Sequence, residues 1–259
     1  MARKVSVPLV SLLALLLLTC GNPVPLTLSI GSGAIALVQN GVEGSTGTPV
    51  GGGPVGTSLP LPSTAGTALV LIAANATTPT GPTVTSMPAG FVLLASIRET
   101  TNSDYEVWVY LNNPGGISAV TFQTVLTGQW YTHLSEWSNV AFASAVEATG
   151  TATAIAGTTL SPASATVVSP GDLAISGWIQ KMTSGTCTFT TPTGWTRLTD
   201  NGSVSGLNHL DVEYQINPPA GGLVPILTST ATTNATAAGL TLVLKKAHDV
   251  VDQTAYLAY

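Results

Sequence analysis

The chain has 259 residues, and only 7% of them are charged, with 7 Lys and Arg against 12 Asp and Glu. Ordinary soluble domains carry roughly 25% charged residues. So few cations exclude an electrostatic nucleic-acid-binding face, and so few charges of either sign exclude a coiled coil or a helical bundle. Charge-rich disorder is excluded too, because 44% of the residues are apolar.

The first 21 residues have the pattern of a secretory leader. A basic start at residues 1–4 precedes a Leu-rich run that is shorter than the roughly 20 apolar residues needed to span a bilayer. A buried strand or helix is the alternative interpretation. With a leader, we expect an exported protein, extracellular or on the cell surface. Cleavage falls either after Gly21 or before Cys20, and in the second case Cys20 carries the lipid anchor of a lipoprotein.

The chain also repeats itself at an offset of about 104 residues. Residues 88–94 align with 192–198. Residues 107–116 align with 212–221, where the offset is one residue larger. A fixed offset of this kind indicates a repeated structural unit. We therefore predict an all-β fold, a jelly-roll-like β-sandwich built from two pseudo-repeats.

Each half is predicted to contain five short strands separated by Gly, Pro, Thr, Ser and Asn. The predicted strands are 68–74, 91–97, 105–111, 119–125 and 130–137 in the first half, and 172–180, 195–200, 210–216, 224–230 and 239–245 in the second. Strict alternation in 210–216 predicts a sheet with one packed face and one wet face. Two turns are predicted to hold Pro in second place and Gly in fourth, one ending at Gly90 and one at Gly194.

These elements define the expected domain organisation. After the leader at 1–21, one sandwich covers 22–248, with half-repeats at about 66–142 and 170–246, and 249–259 form a C-terminal tail. Residues between the halves, 143–168, are expected to add an edge strand. Two small separate sandwiches are the alternative.

Three short segments suggest a family. They are PGDLAI at 170–175, PTGWTRL at 192–198 and VWVY at 107–110. This combination resembles the Gly/Thr/Ala-rich β-sandwich proteins of bacteriophage tails and fibres and of secreted bacterial surface proteins. The resemblance implies a non-enzymatic structural or adhesive protein of a virion or a bacterial cell surface. If the leader is not real, the virion is the expected location.

No arrangement of residues in the sequence predicts catalysis, a cofactor or a metal site. His133 and Glu136 are three residues apart on a predicted strand, and positions three apart face opposite sides. We therefore expect a structural or surface role for His133. The expected partners are further copies of the chain or other surface or virion proteins, and not nucleic acid, with membrane contact only through the leader or a lipid anchor.

Aromatic residues suggest an alternative function, a secreted carbohydrate-binding module. Trp108 and Tyr110 share a strand face opposite three apolar neighbours, so they are expected to point outward as a stacking platform or partner surface. Asp211 and Glu213 also share a face, as do Glu106 and Trp108, which suggests a sugar-binding surface. The alternatives are aromatics that lie under a loop or edge strand, and acids that form a solvated face.

Overall fold

The structure, a computed structural model, describes most of the chain between residues 33 and 247. The described residues are 33–42, 44–46, 53–75, 84–99, 103–124, 129–155, 159–160, 165–167, 169–182, 189–202, 208–223, 227–229 and 235–247. The predicted leader with Cys20 and the predicted tail at 249–259 lie outside the described residues.

Every regular element of these residues is a β-strand. In chain order they are β1 (Ala36–Asn40), β2 (Gly44–Thr46), β3 (Gly53–Ser58), β4 (Ala68–Asn75), β5 (Val84–Ser86), β6 (Val92–Glu99), β7 (Ser103–Tyr110), β8 (Ala119–Thr124), β9 (Trp130–Ser138), β10 (Val146–Ile155), β11 (Thr159–Leu160), β12 (Ala165–Val167), β13 (Leu173–Met182), β14 (Phe189–Thr190), β15 (Thr196–Gly202), β16 (Asn208–Ile216), β17 (Gly221–Leu223), β18 (Leu227–Ser229) and β19 (Ala235–Leu244). Across this part of the chain, no helix has the length and apolar character needed to cross a membrane. The predicted all-β sandwich is confirmed.

Two large antiparallel sheets dominate the fold, and they have the same strand order. The first runs β1-β9-β4-β7-β6, with β2 also paired to β9, and the second runs β10-β19-β13-β16-β15. The central strand is β4 in the first sheet and β13 in the second. Each pairs with the last long strand of its half, which is β9 for β4 and β19 for β13. The predicted edge strand between the halves is present as β10. The pseudo-repeat itself, and its jelly-roll-like character, stay predictions.

The two large sheets also share a β-bulge. The register of β6 against β7 shifts between Leu93 and Ala95, and the register of β15 against β16 shifts between Arg197 and Thr199. A bulge kinks one strand and increases its local twist. The two bulges lie 104 residues apart, so corresponding side chains after the bulge can be matched pair by pair.

The main core lies between the two large sheets. It is formed by alternate residues of facing strands, including Val70, Ile72, Val107, Val109, Ile175, Ile179, Leu240 and Leu242. Trp137 meets Tyr214 edge to face across this core, with ring centroids 5.0 Å apart. Fully burying one such apolar side chain is worth about 1.5–3 kcal/mol, so this shared layer holds the two halves together. Gly33–Ala247 forms one compact unit.

Smaller sheets cover the outer faces of both large sheets. The sheet β3-β8-β5 covers the first, through Val55, Val120 and Phe122 packed on Leu71 and Leu134. The pair β12-β17 lies on the second, where Val167 packs near Val243, and β14 of the sheet β11-β18-β14 contacts it through Phe189. The prediction of a wet face at 210–216 is therefore wrong.

The two predicted proline turns are present, but each begins one residue later than predicted. The N–H of Phe91 donates to the carbonyl of Pro88 at 3.3 Å, and the N–H of Trp195 donates to that of Pro192 at 3.1 Å. Proline therefore holds the first place and glycine the third, where φ is +98° at Gly90 and +85° at Gly194. A positive φ in third place needs glycine, as in a type II turn. The Phe91 ring is buried behind its turn, whereas Trp195 is only half-buried.

Candidate functional site

A pocket of about 450 Å³ opens on the outer face of the first large sheet. Its floor comes from β7, where Asp104, Glu106 and Trp108 alternate with core residues and so share one face. Strand β6 forms one wall and β5 another. The full lining is Val84, Leu93, Ser96, Arg98, Asp104, Glu106 and Trp108.

The polar groups of this pocket are held in place. The indole Nε1–H of Trp108 donates to Oε2 of Glu106 at 2.8 Å. Nη2 of Arg98 lies 3.8 Å from Oδ2 of Asp104, and the Arg98 side chain is 37% exposed. The two acids are 1% and 5% exposed, so two nearly buried carboxylates form the floor and one guanidinium stands at the rim. The pocket is acidic, and Trp108 adds an aromatic side chain to its floor.

The predicted aromatic platform is not the arrangement that the structure has. Val107 and Val109 are buried in the main core, so Trp108 and Tyr110 do point to the outer face. Both are half-buried under β3-β8-β5, which was the alternative interpretation. Tyr110 packs edge to face on Phe91 with centroids 5.5 Å apart, and a Cβ on Gly90 would overlap its ring. Of these two aromatic residues, Trp108 lines the pocket and Tyr110 does not.

The second large sheet has an ion cluster at the corresponding place. Asp211 and Glu213 of β16 are 0% and 1% exposed, which is why they are not the predicted solvated face. Strand pairing matches this cluster to the pocket position by position. The matching positions, first half against second, are Leu93 and Arg197, Ser96 and Asp200, Arg98 and Gly202, Asp104 and His209, Glu106 and Asp211, and Trp108 and Glu213.

Arg197 occupies the centre of the cluster. Its Nε lies 3.0 Å from Oδ1 of Asp211 and 3.8 Å from Oε1 of Glu213. Its Nη1 donates to Oδ2 of Asp200 at 2.5 Å, and its Nη2 donates to the carbonyl of Phe189 at 2.6 Å. One guanidinium thus faces three carboxylates and a main-chain carbonyl, which is the multiple recognition that arginine's planar fork permits.

Histidine closes the exposed side of this cluster. His209 Nε2 contacts Oδ1 of Asp200, and the His209 ring lies edge to face on Phe189 with centroids 4.9 Å apart. Asp200 is thereby held between His209 and Arg197. Strand β14 covers the acids Asp211 and Glu213, and the Arg197 guanidinium on β15 lies beside them.

Burial dominates the ionisation of the cluster. Burial first, then the neighbouring charge of Glu213, raises the pKa of Asp211 to about 8, although Arg197 acts in the opposite direction. Burial also raises the pKa of Glu213, against hydrogen bonding from Thr191 and the charge of Arg197. Two carboxyl groups this close cannot both ionise cheaply, so near neutral pH the pair shares a proton.

Two other buried titratable groups lie in the main core. Burial, and secondarily the charge of Asp211, raise the pKa of Tyr105 above its ordinary value. Burial lowers the pKa of His133 to about 4. His133 faces the main core, whereas Glu136 faces outward and accepts from the Thr67 hydroxyl at 2.8 Å, so the two do not converge, as predicted. A structural role for His133 is the remaining interpretation.

Sequence reasoning identified Trp108 and Glu106 as neighbours on one face but missed the rest of the pocket. Leu93, Ser96 and Arg98 come from a different strand, and only the pairing register brings them to β7. Within the described ranges, no three His, Cys, Asp or Glu side chains are grouped to hold a metal ion. Comparisons of the chain with protein-family models, curated proteins and solved structures give no match.

Proposed function

We propose that this chain is a non-enzymatic structural or adhesive β-sandwich protein of a virion or a bacterial cell surface. The observation that supports the proposal is that several of the acidic side chains are buried. The acids that are buried inside the layers are Asp104, Glu106, Glu136, Asp172, Asp211 and Glu213. Exposed strand positions include uncharged residues, among them Ala119, Thr121 and Gln123 of β8 and Thr149, Thr151 and Thr153 of β10. Such surfaces allow close uncharged contact with a neighbouring molecule.

Strand β10 supports this proposal as a contact surface. In the part of the chain that the structure describes, β10 ends the second large sheet, and its outward residues Thr149, Thr151 and Thr153 are exposed and uncharged. Soluble monomers usually guard a long edge strand with lysine, proline or a covering element. Beyond the register shift at Val146–Ala148, the strand has no lysine and no proline, so we expect its edge to pair with another chain and take a second copy as the partner.

Size-exclusion chromatography with light scattering tests this role. We expect wild-type protein to self-associate as its concentration rises, and Thr151→Lys to lower the average mass. Thr121→Lys is the matched control, because Thr121 is equally exposed but lies on the central strand of its small sheet. A clean monomer at high concentration would count against self-association, and equal effects of both lysines would remove β10 from the proposal.

A secreted carbohydrate-binding module is the second candidate, and the pocket is what favours it. Trp108 lines the pocket beside Glu106, Ser96 and Arg98, which can exchange hydrogen bonds with hydroxyl groups. A glycan array with wild type and Trp108→Ala tests this candidate. Binding that Trp108→Ala abolishes supports it, and no binding by the wild type ends it.

Export is part of the proposed role and has its own test. Mass spectrometry of the mature protein distinguishes the predicted forms. Loss of the first 21 residues supports secretion, and a diacylglyceryl mass on Cys20 supports a lipoprotein. An intact Met1 contradicts export and leaves the virion as the proposed location.

A further inference from the structure

We propose that the pocket on the first large sheet is a binding site for a guanidinium group, for which an arginine side chain of a partner or a free arginine derivative is the source. The proposal stands independently of the structural role above, because it concerns one pocket and one chemical group. It rests on the match between this pocket and the ion cluster of the second half.

The second half shows what such a site holds. There the guanidinium of Arg197 lies between Asp211 and Asp200 and donates to the carbonyl of Phe189. Strand pairing puts Glu106 at the position of Asp211 and Leu93 at the position of Arg197. The first half therefore retains an acid on the floor but has a short apolar side chain where the second half supplies its own cation.

The pocket has the volume and the charge to take that cation from outside. Leu93 is 41% exposed and stands at the wall, so the space next to Glu106 remains part of a pocket of about 450 Å³. Asp104 and Glu106 bring two carboxylates to the floor, and Arg98 brings one guanidinium to the rim. One further positive charge would balance the lining.

Trp108 adds two features that suit a guanidinium. Its Nε1–H bond to Glu106 fixes the carboxylate against the ring, so the acceptor is already oriented before a ligand arrives. Its ring lines the same pocket, and arginine is the cation that most often stacks on tryptophan. A neutral sugar could use the ring and the hydrogen-bonding groups, but it would leave the two nearly buried carboxylates without added positive charge.

The Trp108 indole N–H is a built-in reporter of binding. The chain has five tryptophans, so a ¹H–¹⁵N spectrum contains five indole signals at most, and Trp108→Phe identifies the signal of interest. Titration with N-acetyl-arginine methylamide is expected to shift that signal saturably. The matched citrulline derivative, which has the same length but a neutral urea, is expected to leave it nearly unchanged.

Two variants test the site itself. Glu106→Gln keeps an acceptor for Trp108 but removes the charge, and it is expected to weaken binding about tenfold or more, since hydrogen bonds to charged groups are the strong ones. Leu93→Arg is expected to abolish binding by filling the site from within, whereas Leu93→Met, which is unbranched but shorter than Arg and uncharged, should preserve it. The remaining signals of each spectrum report whether the variant is folded.

Three results would overturn the proposal. The first is the lack of a saturable shift with the arginine derivative in folded wild type. The second is an equal shift with the citrulline derivative, and the third is undiminished binding by folded Leu93→Arg. A shift caused by neutral hexoses, without one caused by the arginine derivative, would assign the pocket to the carbohydrate-binding candidate.

Discussion

At matching positions of the two large sheets, the first half has a pocket and the second half has an ion cluster. Strand order, bulge position and pairing register are the same in both. The outer-face residues differ, with Leu93 and Trp108 in one sheet where Arg197 and Glu213 stand in the other. The same strand arrangement therefore carries a pocket in one sheet and an ion cluster in the other.

The two halves tolerate a buried acid in different ways. Asp211 lies among other acids. The Arg197 guanidinium on the neighbouring strand lies beside it, and the pKa of Asp211 is raised. Glu106 instead has the Trp108 indole as donor and a pocket in front of it. An unpaired buried charge is costly, so each half must have its own solution.

The largest expected effect comes from removing the central cation of the cluster. Arg197→Leu should lower the free energy of unfolding by about 3 kcal/mol at pH 7, because it leaves buried carboxyl groups without their counter-charge. Arg98→Leu is the matched variant of the first half, and it should cost less than about 1 kcal/mol because its pair is long and partly exposed. Urea denaturation measures both. Equal losses in the two variants would contradict the contrast between the halves.

The proline turns offer the next largest contrast. Gly90→Ala should cost about 2–3 kcal/mol, because it combines a positive φ with overlap between the new Cβ and the Tyr110 ring. Gly194→Ala has a similar φ, but its Cβ would meet only Nε2 of Gln215 at 3.4 Å, so about 1 kcal/mol is expected. Thermal and urea unfolding of both variants give the comparison. A greater loss at Gly194 would show that the turns are not held as described.

The stability of the protein is expected to depend on pH. Between about pH 4 and pH 8 the folded protein keeps a proton on Asp211 that the unfolded chain releases, so stability falls as pH rises. His133 acts in the opposite direction from about pH 4 to 6.5, because there only the unfolded chain takes up its proton. The two trends offset each other below pH 6.5, and a net fall on the order of 2 kcal/mol is expected from pH 6.5 to 8.

Stability measured by urea denaturation at half-unit pH steps checks this profile. Asp211→Asn is the diagnostic variant, since it keeps the shape of the side chain and removes its titration. It should flatten the fall above pH 6.5. A wild-type stability that rises from pH 6.5 to 8, or a fall that Asp211→Asn leaves unchanged, would rule out this cause.

The smallest expected effect converts one half towards the other. Leu93→Arg should raise the free energy of unfolding by up to about 1 kcal/mol, because a partly exposed ion pair with Glu106 and Asp104 adds modestly. Leu93→Met is its neutral control and should change little. Destabilisation by Leu93→Arg alone, in the same urea titrations, would indicate that the pocket does not accept a guanidinium.

Much of this fold could be predicted from alternation and turns, but its layers could not. The predicted strands at 68–74 and 130–137 differ from β4 and β9 by a residue at most, because apolar runs and Gly/Pro boundaries mark them locally. The alternation at 210–216 is identical whether its polar face meets water or another sheet. Coverage by β14 depends on contacts distant in sequence, and so the wet face was predicted in error.

The site was partly visible in the sequence as well. Glu106 and Trp108 could be placed on one face from their spacing alone. The aligned segments 88–94 and 192–198 already set Leu93 against Arg197, which is the difference that separates pocket from cluster. Its meaning required the register of β6 on β7 and of β15 on β16, since a one-residue slip would turn these side chains to the other face.

A crystal structure of Leu93→Arg tests the correspondence of the two halves most directly. We expect the new guanidinium to turn into the pocket and lie about 3 Å from the Glu106 carboxylate, as Arg197 lies beside Asp211. A side chain that extends into solvent, with Glu106 and Trp108 unchanged, would contradict the correspondence and with it the proposed guanidinium site.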